Sequence, residues 1–379
     1  MAHIFICGDI VNYENKDGLV CSQELAGVIL SADYSICNFE APVSGFGKHQ
    51  PKSGPHHSQR AKTISGLKEQ GFNLLLLANN HIMDFGPEGL SATLDAAQKV
   101  RLDTIGAGLD DEQAYAPLIR EINRLKIGMI NACEAQFGVI DHFDRKQQAG
   151  YAWINHPQID KTVLRLKKEC DFVIVFSHAG LEHYSIPQKE WRERYKHLCE
   201  LGADVIVGSH PHVPQGYEIY KKSLIFYSLG NFYFDSTKYK DKEDPSFSLL
   251  LKFSQCQTPD FEPVYHYKAN GLVQLSPPEK RIDIDTLCTS LGDDYESIHD
   301  AMSLEAYEKI RRNLIFSLMP IPYDGTLKGS LKRLASIVLG RRNKANKTLL
   351  QLHLIRNEAY YYAARHALEI LARDKHTDL

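Results

Sequence analysis

The sequence predicts an α/β fold followed by a helical C-terminal region. In the first part of the chain, short apolar runs of strand length alternate with segments whose apolar residues recur at helical spacing. This alternation is typical of an α/β domain. After His212 strand signals dominate, and from about Asp283 the sequence becomes helical. We therefore predict an α/β domain at 1–280 and a helical region at 281–379.

Six apolar runs are predicted as the core strands, and helical segments separate several of them. The runs are HIFICGD, YSICNFE, NLLLLANN, LKIGMINA, DFVIVFSH and DVIVGSH. Further along, QGYEIYKKSLIFYSLGNFYFD predicts a strand, a tight turn and a second strand. In the helical region, a Pro/Gly break is expected at PIPYDGTLKG, a short helix at LKRLASIVLG and one long helix from Asn346 to Arg373.

The composition is that of an ordinary globular protein. Apolar residues make up 43% of the chain and charged residues 24%, and no apolar run approaches the length that spans a bilayer. The eight cysteines contain no CxxC pair, which argues against a zinc ribbon and a disulfide framework. The N-terminus has no basic region, and Gly8 and Asp9 interrupt its apolar stretch. It does not resemble a signal peptide, so we expect a cytoplasmic protein.

Polar side chains follow five of the six predicted core strands. The carboxyl ends of strands in an α/β sheet form one edge, so residues far apart in sequence can converge there. Taken singly, each has an ordinary explanation, such as a turn or a helix cap for Asp9. Taken together, carboxylates, an amide and imidazoles form a ligand set for Mn, Fe or Zn. The residues are Asp9, Glu40, Asn80, His81, His178, His210 and His212.

Eight sequence blocks resemble, in order and spacing, the CapA-type proteins. These are named for capsule and poly-γ-glutamate biosynthesis and are related to the calcineurin-like metallophosphoesterases. The resemblance covers about residues 2–235, in the blocks GDI, NFEAPV, KSGP, LANNHIMDFGPEGL, GAG, FSHAGLEHY, GSHPHVPQG and YSLGNFYF. It implies a four-layer αββα sandwich with two divalent metal ions at the strand ends.

By this resemblance, six side chains would bind the two metal ions. Asp9 matches the aspartate of a DxH motif, and Glu40 stands in place of the bridging aspartate. Asn80 matches the asparagine of GNH, His178 matches a lone histidine, and His210 and His212 match both histidines of GHxH.

The sequence departs from the family pattern at one position, where Val11 replaces the histidine of DxH. The first metal ion would then be bound by Asp9, Glu40 and His212 alone. The second would be bound by Glu40, Asn80, His178 and His210. Either water completes the first metal site, or another residue supplies the missing ligand. Glu182 and His183 are the candidates.

The resemblance also implies roles for residues that do not bind metal. His81 would protonate the leaving group of a phosphate ester, and Asp84 would fix the tautomer of that histidine. Asn79 would serve only the turn. Four further residues are candidates for substrate binding: Lys52, Glu182, Tyr184 and Asn231.

The leading hypothesis is a metal-dependent hydrolase of phosphate mono- or diesters from surface-polysaccharide or anionic-polymer biosynthesis, whose substrate is a small molecule or a polymer. Two alternatives remain open. One is an amide hydrolase or transferase acting on poly-γ-glutamate, and the other is a non-catalytic assembly subunit with a degenerate metal site, which Val11 favours.

The C-terminal region is basic, with 14 Lys and Arg against 7 Asp and Glu from Ala301 onward. Its positive charge could attract an anionic polymer or polysaccharide-assembly partner, a membrane surface or the acidic body of the protein. A solvated face or self-association is favoured over polymer binding. No motif supports nucleic-acid binding.

Overall fold

The computed structural model describes residues 1–141, 143, 148–236, 242–318, 328–329, 331–332 and 347–377. The chain divides into two compact units, and each is described by itself. The first unit comprises Met1–Gln50 and His56–Gly292, and the second comprises Pro51–Pro55 and Asp293–Leu379.

The first unit alternates strands and helices along most of its length. Its strands are β1 (Ala2–Val11), β2 (Tyr34–Phe39), β3 (Leu74–Leu76), β4 (Asp103–Ile105), β5 (Ala107–Gly108), β6 (Leu118–Ile122), β7 (Leu125–Cys133), β8 (Val139–Ile140), β9 (Gly150–Ala152), β10 (Phe172–His178), β11 (Val205–Ser209), β12 (Tyr217–Tyr220), β13 (Ser223–Phe226), β14 (Asn231–Phe234), β15 (Ser246–Phe253), β16 (Asp260–Ala269) and β17 (Leu272–Leu275). Its helices are α1 (Gln23–Ser31), α2 (Lys62–Glu69), α3 (Gly86–Lys99), α4 (Asp111–Tyr115), α5 (Pro157–Glu169), α6 (Lys189–Leu201) and α7 (Ile284–Thr289), with a 3₁₀ turn at Pro278–Lys280.

The larger sheet has the order β17-β16-β15-β1-β2-β3-β4, and β14 also pairs with β1. Strands β1 to β4 run parallel, whereas β15, β16 and β17 run antiparallel to their neighbours. Strand β1 changes partner along its length: Ala2 to Ile6 pair with β15, and Asp9 to Val11 pair with β14. The carboxyl end of β1 therefore lies between two parallel neighbours, β2 and β14.

The smaller sheet has the order β12-β13-β11-β10-β7-β6. Strands β13, β11, β10 and β7 run parallel, and β12 and β6 are antiparallel additions at the edges. Parallel strands covered on both faces have continuous apolar sequences, which is why DFVIVFSH and DVIVGSH lack polar alternation. The predicted hairpin is confirmed as β12 and β13. A short third sheet has the order β5-β9-β8.

The two main sheets pack face to face. A buried core between them includes Ile36 and Leu74 of the larger sheet and Ile174 and Val205 of the smaller one. The other face of the larger sheet packs against α1, α2 and α3, and α5 and α6 contact the smaller sheet. The order helix, sheet, sheet, helix confirms the predicted four-layer αββα sandwich. Helix α7 also belongs to this unit, because Ile284 packs into the core between the sheets. The first unit thus extends beyond residue 280, to Gly292.

The second unit contains α8 (Tyr295–Leu318), α9 (Lys347–Arg356) and α10 (Glu358–Thr377). The prediction of one helix from Asn346 to Arg373 is wrong, because the chain breaks at Asn357. The Asn357 side-chain oxygen accepts a hydrogen bond from the backbone NH of Tyr360 at 2.8 Å, which caps α10. The predicted break at PIPYDGTLKG and helix at LKRLASIVLG lie largely outside the described residues. Among the described residues, no helix combines the length and apolar character required to cross a bilayer.

We expect His266 to make the first unit less stable in acid. This histidine of β16 is fully buried beside Phe232, and burial lowers its pKa to about 3. Below pH 6.5 the unfolded chain binds a proton that the folded chain does not bind, so stability falls with pH between about 6.5 and 3. Wild-type protein should therefore lose about 2 kcal/mol more unfolding free energy between pH 7.5 and pH 5 than the His266→Leu variant.

Urea unfolding at the two pH values measures this difference. The matched control is His3→Gln, which removes a partly exposed histidine of β1 and should retain the wild-type pH dependence. Equal pH dependence in wild type and His266→Leu would contradict the assignment.

Candidate metal centre

The predicted donors lie at the carboxyl ends of strands from both main sheets. Asp9 is near the end of β1 and Glu40 directly follows β2, while His178 ends β10 and His210 follows β11. All four are at most 1% exposed. The sequence argument placed the donors along one sheet edge. The structure instead brings together the corresponding edges of two sheets that pack face to face.

A β-bulge at Gly8 sets the direction of Asp9. Along the β1–β2 pair, Cys7 faces Cys37 and Asp9 faces Asn38, so Gly8 is an extra residue in β1. Bulges redirect side chains next to functional sites. A Cβ atom at position 8 would lie 1.9 Å from the carbonyl oxygen of Gly230, and this same oxygen accepts a hydrogen bond from the NH of Asp9 at 3.2 Å. Only glycine fits this close approach of two backbones.

One group of potential ligands contains Asp9, Glu40 and His212, whose ligand atoms lie within 4.8 Å of one another. His212 Nδ1 is 3.4 Å from Asp9 Oδ2, and His212 Nε2 is 3.8 Å from Glu40 Oε1. Asn231 Oδ1 lies 3.0 Å from His212 Nδ1, and the Asn231 amide donates to Asp244 at 2.7 Å. The structure therefore places Asn231 behind His212, where it orients the imidazole.

A second group contains Glu40, His178 and His210, with Asn80 beside them. His178 Nε2 lies 3.1 Å from Asn80 Oδ1, 3.1 Å from His210 Nδ1 and 3.6 Å from Glu40 Oε1. Ligand atoms of a tetrahedral ion with bonds of about 2.1 Å are about 3.4 Å apart. His178 Nε2 thus lies near three other potential donors at about this spacing, and Glu40 is common to both groups.

Glu40 is the clearest sign that the site fits a cation. Both of its carboxylate oxygens are buried, and neither accepts a hydrogen bond from the described residues. Burial raises the pKa of Glu40. Burying a carboxylate whose oxygens accept no hydrogen bond is costly, and divalent cations bound to this side chain would satisfy both oxygens. The residues present therefore fit divalent metal ions.

Two histidines of the centre differ in charge. Burial acts to lower the pKa of His212, but Glu40 and Asp9 together raise it to about 10. The pKa of Asp9 is lowered, because the contact with His212 and the charge of His178 outweigh the effect of burial. His210 has a pKa well below its usual value because of burial and the neighbouring imidazoles. Neutral imidazole is the metal-binding form, so His210 can bind a cation directly, whereas His212 must first release a proton.

His81 and Asp84 form a buried pair next to Asn80. His81 Nδ1 is 2.7 Å from Asp84 Oδ2, and the same oxygen accepts the backbone NH of His57 at 2.6 Å. The His57 ring lies 4.2 Å from that of His81, centre to centre. Asn79 serves the local turn, as predicted: its Oδ1 accepts from the NH of His81 and its amide donates to the carbonyl of Phe39. The catalytic role of the His81–Asp84 pair stays a prediction.

Sequence reasoning missed three residues of the centre: Asn38, His57 and Glu134. Asn38 donates to Asp9 Oδ1 at 2.7 Å. Glu134 is fully buried, lies 3.8 Å from His210 Nε2 and accepts the NH of Gly180 at 3.0 Å. Glu134 directly follows β7, the one core strand thought to end without a donor. In the sequence NACE, Glu134 follows an apolar run directly, as the predicted donors do at the other five strand ends.

The remaining predicted residues are less closely tied to the centre. Glu182 and His183 lie 3.8 Å apart, but within the described part of the chain neither joins a donor group. Tyr184 is in the same loop, where its carbonyl accepts from Gln215. Lys52 belongs to Pro51–Pro55 of the second unit. Their roles in substrate or metal binding stay predictions.

Val11, at the position of the missing histidine, is buried against Phe234 and Tyr13. Among the described residues, the first group therefore has three carboxylate or imidazole donors, and an apolar contact lies at the position of the missing histidine.

The first unit is a four-layer αββα sandwich with buried potential metal ligands at the ends of its strands. The family described as Bacterial capsule synthesis protein PGA_cap matches residues 4–236. This is more than half of the chain, and the chain belongs to that family.

Two curated relatives carry related names. The capsule biosynthesis protein CapA of Bacillus anthracis is 33% identical over 62% of this chain and 58% of its own length. The PGA biosynthesis protein CapA of Bacillus subtilis is 33% identical over 68% of this chain and 64% of its own. The chain thus spans about three fifths of these relatives. Among solved structures, the calcineurin-like phosphoesterase YfkN from Bacillus subtilis is similar over 79% of this chain and 98% of that chain, with 13% identity and a TM-score of 0.38.

We expect Gly8→Ala to destabilise the fold and the metal centre together. The new methyl group would collide with the Gly230 carbonyl and force β1 and β14 apart, which moves Asp9 and Asn231. Overpacking of this kind costs about 1–3 kcal/mol or more. Displaced donors should weaken Mn²⁺ binding by about tenfold or more. Chemical denaturation and calorimetric Mn²⁺ titration measure the two effects.

Gly27→Ala is the matched control. Gly27 is exposed on α1, and a Cβ atom there meets nothing within 4 Å. This variant should gain about 0.5–1 kcal/mol in stability and bind Mn²⁺ as wild type does. If Gly8→Ala behaves like Gly27→Ala, the bulge does not position the centre.

Proposed function

We propose that this protein is a metal-dependent phosphoesterase that acts on a phosphate mono- or diester in capsule or poly-γ-glutamate biosynthesis. The observation that carries the proposal is Glu40. Its two buried oxygens accept no hydrogen bond from the described residues, and it belongs to both donor groups. A carboxylate placed between two sets of imidazole and carboxylate donors is suited to two divalent cations.

Six residues would hold the cations: Asp9, Glu40, Asn80, His178, His210 and His212. When bound, two divalent cations lower the pKa of a water molecule and offset the negative charge of a phosphate group. Asn38 positions the Asp9 carboxylate by donating to its Oδ1, and Asn231 orients His212. These contacts fix the donor directions before any substrate arrives, and such preorganisation favours catalysis.

His81 would act as the general acid of the reaction. Its Nδ1 is bound to Asp84, so Nε2 is the nitrogen that can give a proton to a leaving alkoxide. Asp84 is in turn fixed by the backbone NH of His57. This arrangement of a carboxylate behind an imidazole maintains the tautomer and the ring orientation that proton transfer needs.

The proposed biological setting comes from family membership. Two relatives are named for capsule and PGA biosynthesis, and two others, from Mycobacterium tuberculosis, are named probable polyglutamine synthesis accessory proteins. These names also support a second candidate, an amide hydrolase or transferase acting on poly-γ-glutamate at the same centre. Val11 favours a third, a non-catalytic subunit of polymer assembly, because it leaves the first donor group with three protein donors.

An assay on aryl phosphate mono- and diesters and on poly-γ-glutamate, with Mn²⁺, Zn²⁺ or Fe²⁺ added, separates these candidates. For the phosphoesterase we expect metal-dependent release of the phenol and no chain cleavage of the polymer. His81→Asn should lower kcat about 10²- to 10⁴-fold with metal content unchanged. Asp84→Asn should lower kcat by a smaller factor, and Glu40→Gln should lower the metal content itself.

His197→Gln is the matched control, since it removes a half-exposed histidine of α6 and should leave kcat unchanged. Cleavage or transfer of poly-γ-glutamate without phosphatase activity would favour the amide chemistry. Full metal content with no turnover of either substrate would favour the assembly subunit. Wild-type activity in His81→Asn would refute the role of His81.

A further inference from the structure

We propose that the helical unit contains a separate binding site for one divalent transition-metal ion between α8 and α10. The ligands are His299 and Asp300 on α8 and His366 on α10. Each offers one ligand atom, and the three atoms lie within 4.8 Å of one another. All three residues belong to the second unit, and none of them takes part in the proposed phosphoesterase chemistry.

Small side chains bring the two helices together at this point. Ala359, Ala363 and Ala367 are buried on α10 and recur every four residues, so they form one stripe along the helix. α8 packs against α10. As a result the rings of His299 and His366 lie 4.7 Å apart, centre to centre, at an interplanar angle of 71°.

The donor chemistry is that of a borderline metal ion. Two imidazoles and one carboxylate are a typical ligand set for Zn²⁺, and sites with three protein ligands have an open position for water. His366 Nε2 lies 2.6 Å from Asp300 Oδ1, which aligns the carboxylate and the imidazole. An ion bound between them would replace this contact with two shorter bonds and add a third bond to His299.

The burial of the three residues fits an ion that binds from solvent. His299 is 1% exposed, whereas the side chains of Asp300 and His366 are 44% and 16% exposed. The His299 ring is therefore the ligand shielded from solvent, and Asp300 and His366 are the ligands that solvent can reach. One helical turn after His299, the hydroxyl of Ser303 is also buried and makes no hydrogen bond to the described residues. A water molecule held by the ion could satisfy this hydroxyl.

A metal ion here would join segments that are 66 residues apart in the sequence. Closing so long a loop costs the unfolded chain entropy, and an ion that binds only the folded unit stabilises it by mass action. A bound ion would therefore stabilise the unit by linking α8 to α10.

Zinc stoichiometry of the full-length protein tests the proposal. Wild type, Asp300→Asn, His366→Gln and His353→Gln are dialysed against the same buffered Zn²⁺, and zinc is counted per chain. We expect Asp300→Asn and His366→Gln each to bind one zinc ion fewer than wild type. His353→Gln is the matched control, because it removes a histidine of α9 that belongs to no donor group in the described part of the chain; it should retain the wild-type count.

Cobalt gives an independent readout. Crystals soaked in CoCl₂ should show an anomalous peak between His299, Asp300 and His366, absent in His366→Gln, which keeps its fold because the residue is partly exposed. Equal zinc counts in wild type and both ligand variants would overturn the proposal, as would cobalt crystals without this peak. Zinc loss in His353→Gln as large as in His366→Gln would also overturn it, because zinc would then bind surface histidines unselectively.

Discussion

The structure of the first unit depends on the burial of two carboxylates where its two sheets meet. Asp9 and Glu40 are both completely buried, but their surroundings differ. Asp9 receives hydrogen bonds from Asn38 and from the NH of His210 and contacts His212, so its charge is compensated within the chain. Glu40 accepts no hydrogen bond from the described residues. A counter-charge lies nearby in His212, whose Nε2 is 3.8 Å from Glu40 Oε1. Because a buried carboxylate that accepts no hydrogen bond is costly, Glu40 is suited to bind cations together with the imidazoles from the opposite sheet.

The backbone that presents these carboxylates is itself under a steric constraint. β1 pairs with β15 at its beginning and with β14 at its end, and it makes this change at the bulge of Gly8. The bulge turns Asp9 towards the facing sheet, and the close contact with Gly230 links β1 to the turn that precedes Asn231. One glycine thus connects a metal donor on β1 with the residue that orients His212 from β14. Core packing and site geometry are therefore not separable here.

Sequence reasoning predicted the alternating strands and helices of the first unit from local patterns, whereas the four-layer sandwich was implied by the resemblance to the CapA-type proteins. Apolar runs that end in Asp, Glu, Asn or His identify strand ends, and parallel strands bring such ends together. It missed Glu134, which follows the remaining core strand in the same way, and it missed His57, which lies in the loop between β2 and α2 and reaches His81 only in the folded structure. It also merged α9 and α10, because the side-chain cap at Asn357 interrupts a continuous helical pattern without proline or glycine. Loop contacts and caps depend on tertiary structure, so periodicity does not reveal them.

The two donor groups are unequal, and the inequality has a chemical consequence. Among the described residues, one group has the four potential donors Glu40, Asn80, His178 and His210, whereas the other has Asp9, Glu40 and His212. Val11 does not act as a fourth donor, because it pairs with Phe234 in the β1–β14 ladder and packs against that ring. A cation with three protein ligands has open coordination positions, as catalytic sites do. If a cation were bound by Asp9, Glu40 and His212, it would have positions left for water or substrate oxygens, and a histidine at position 11 would fill one of them.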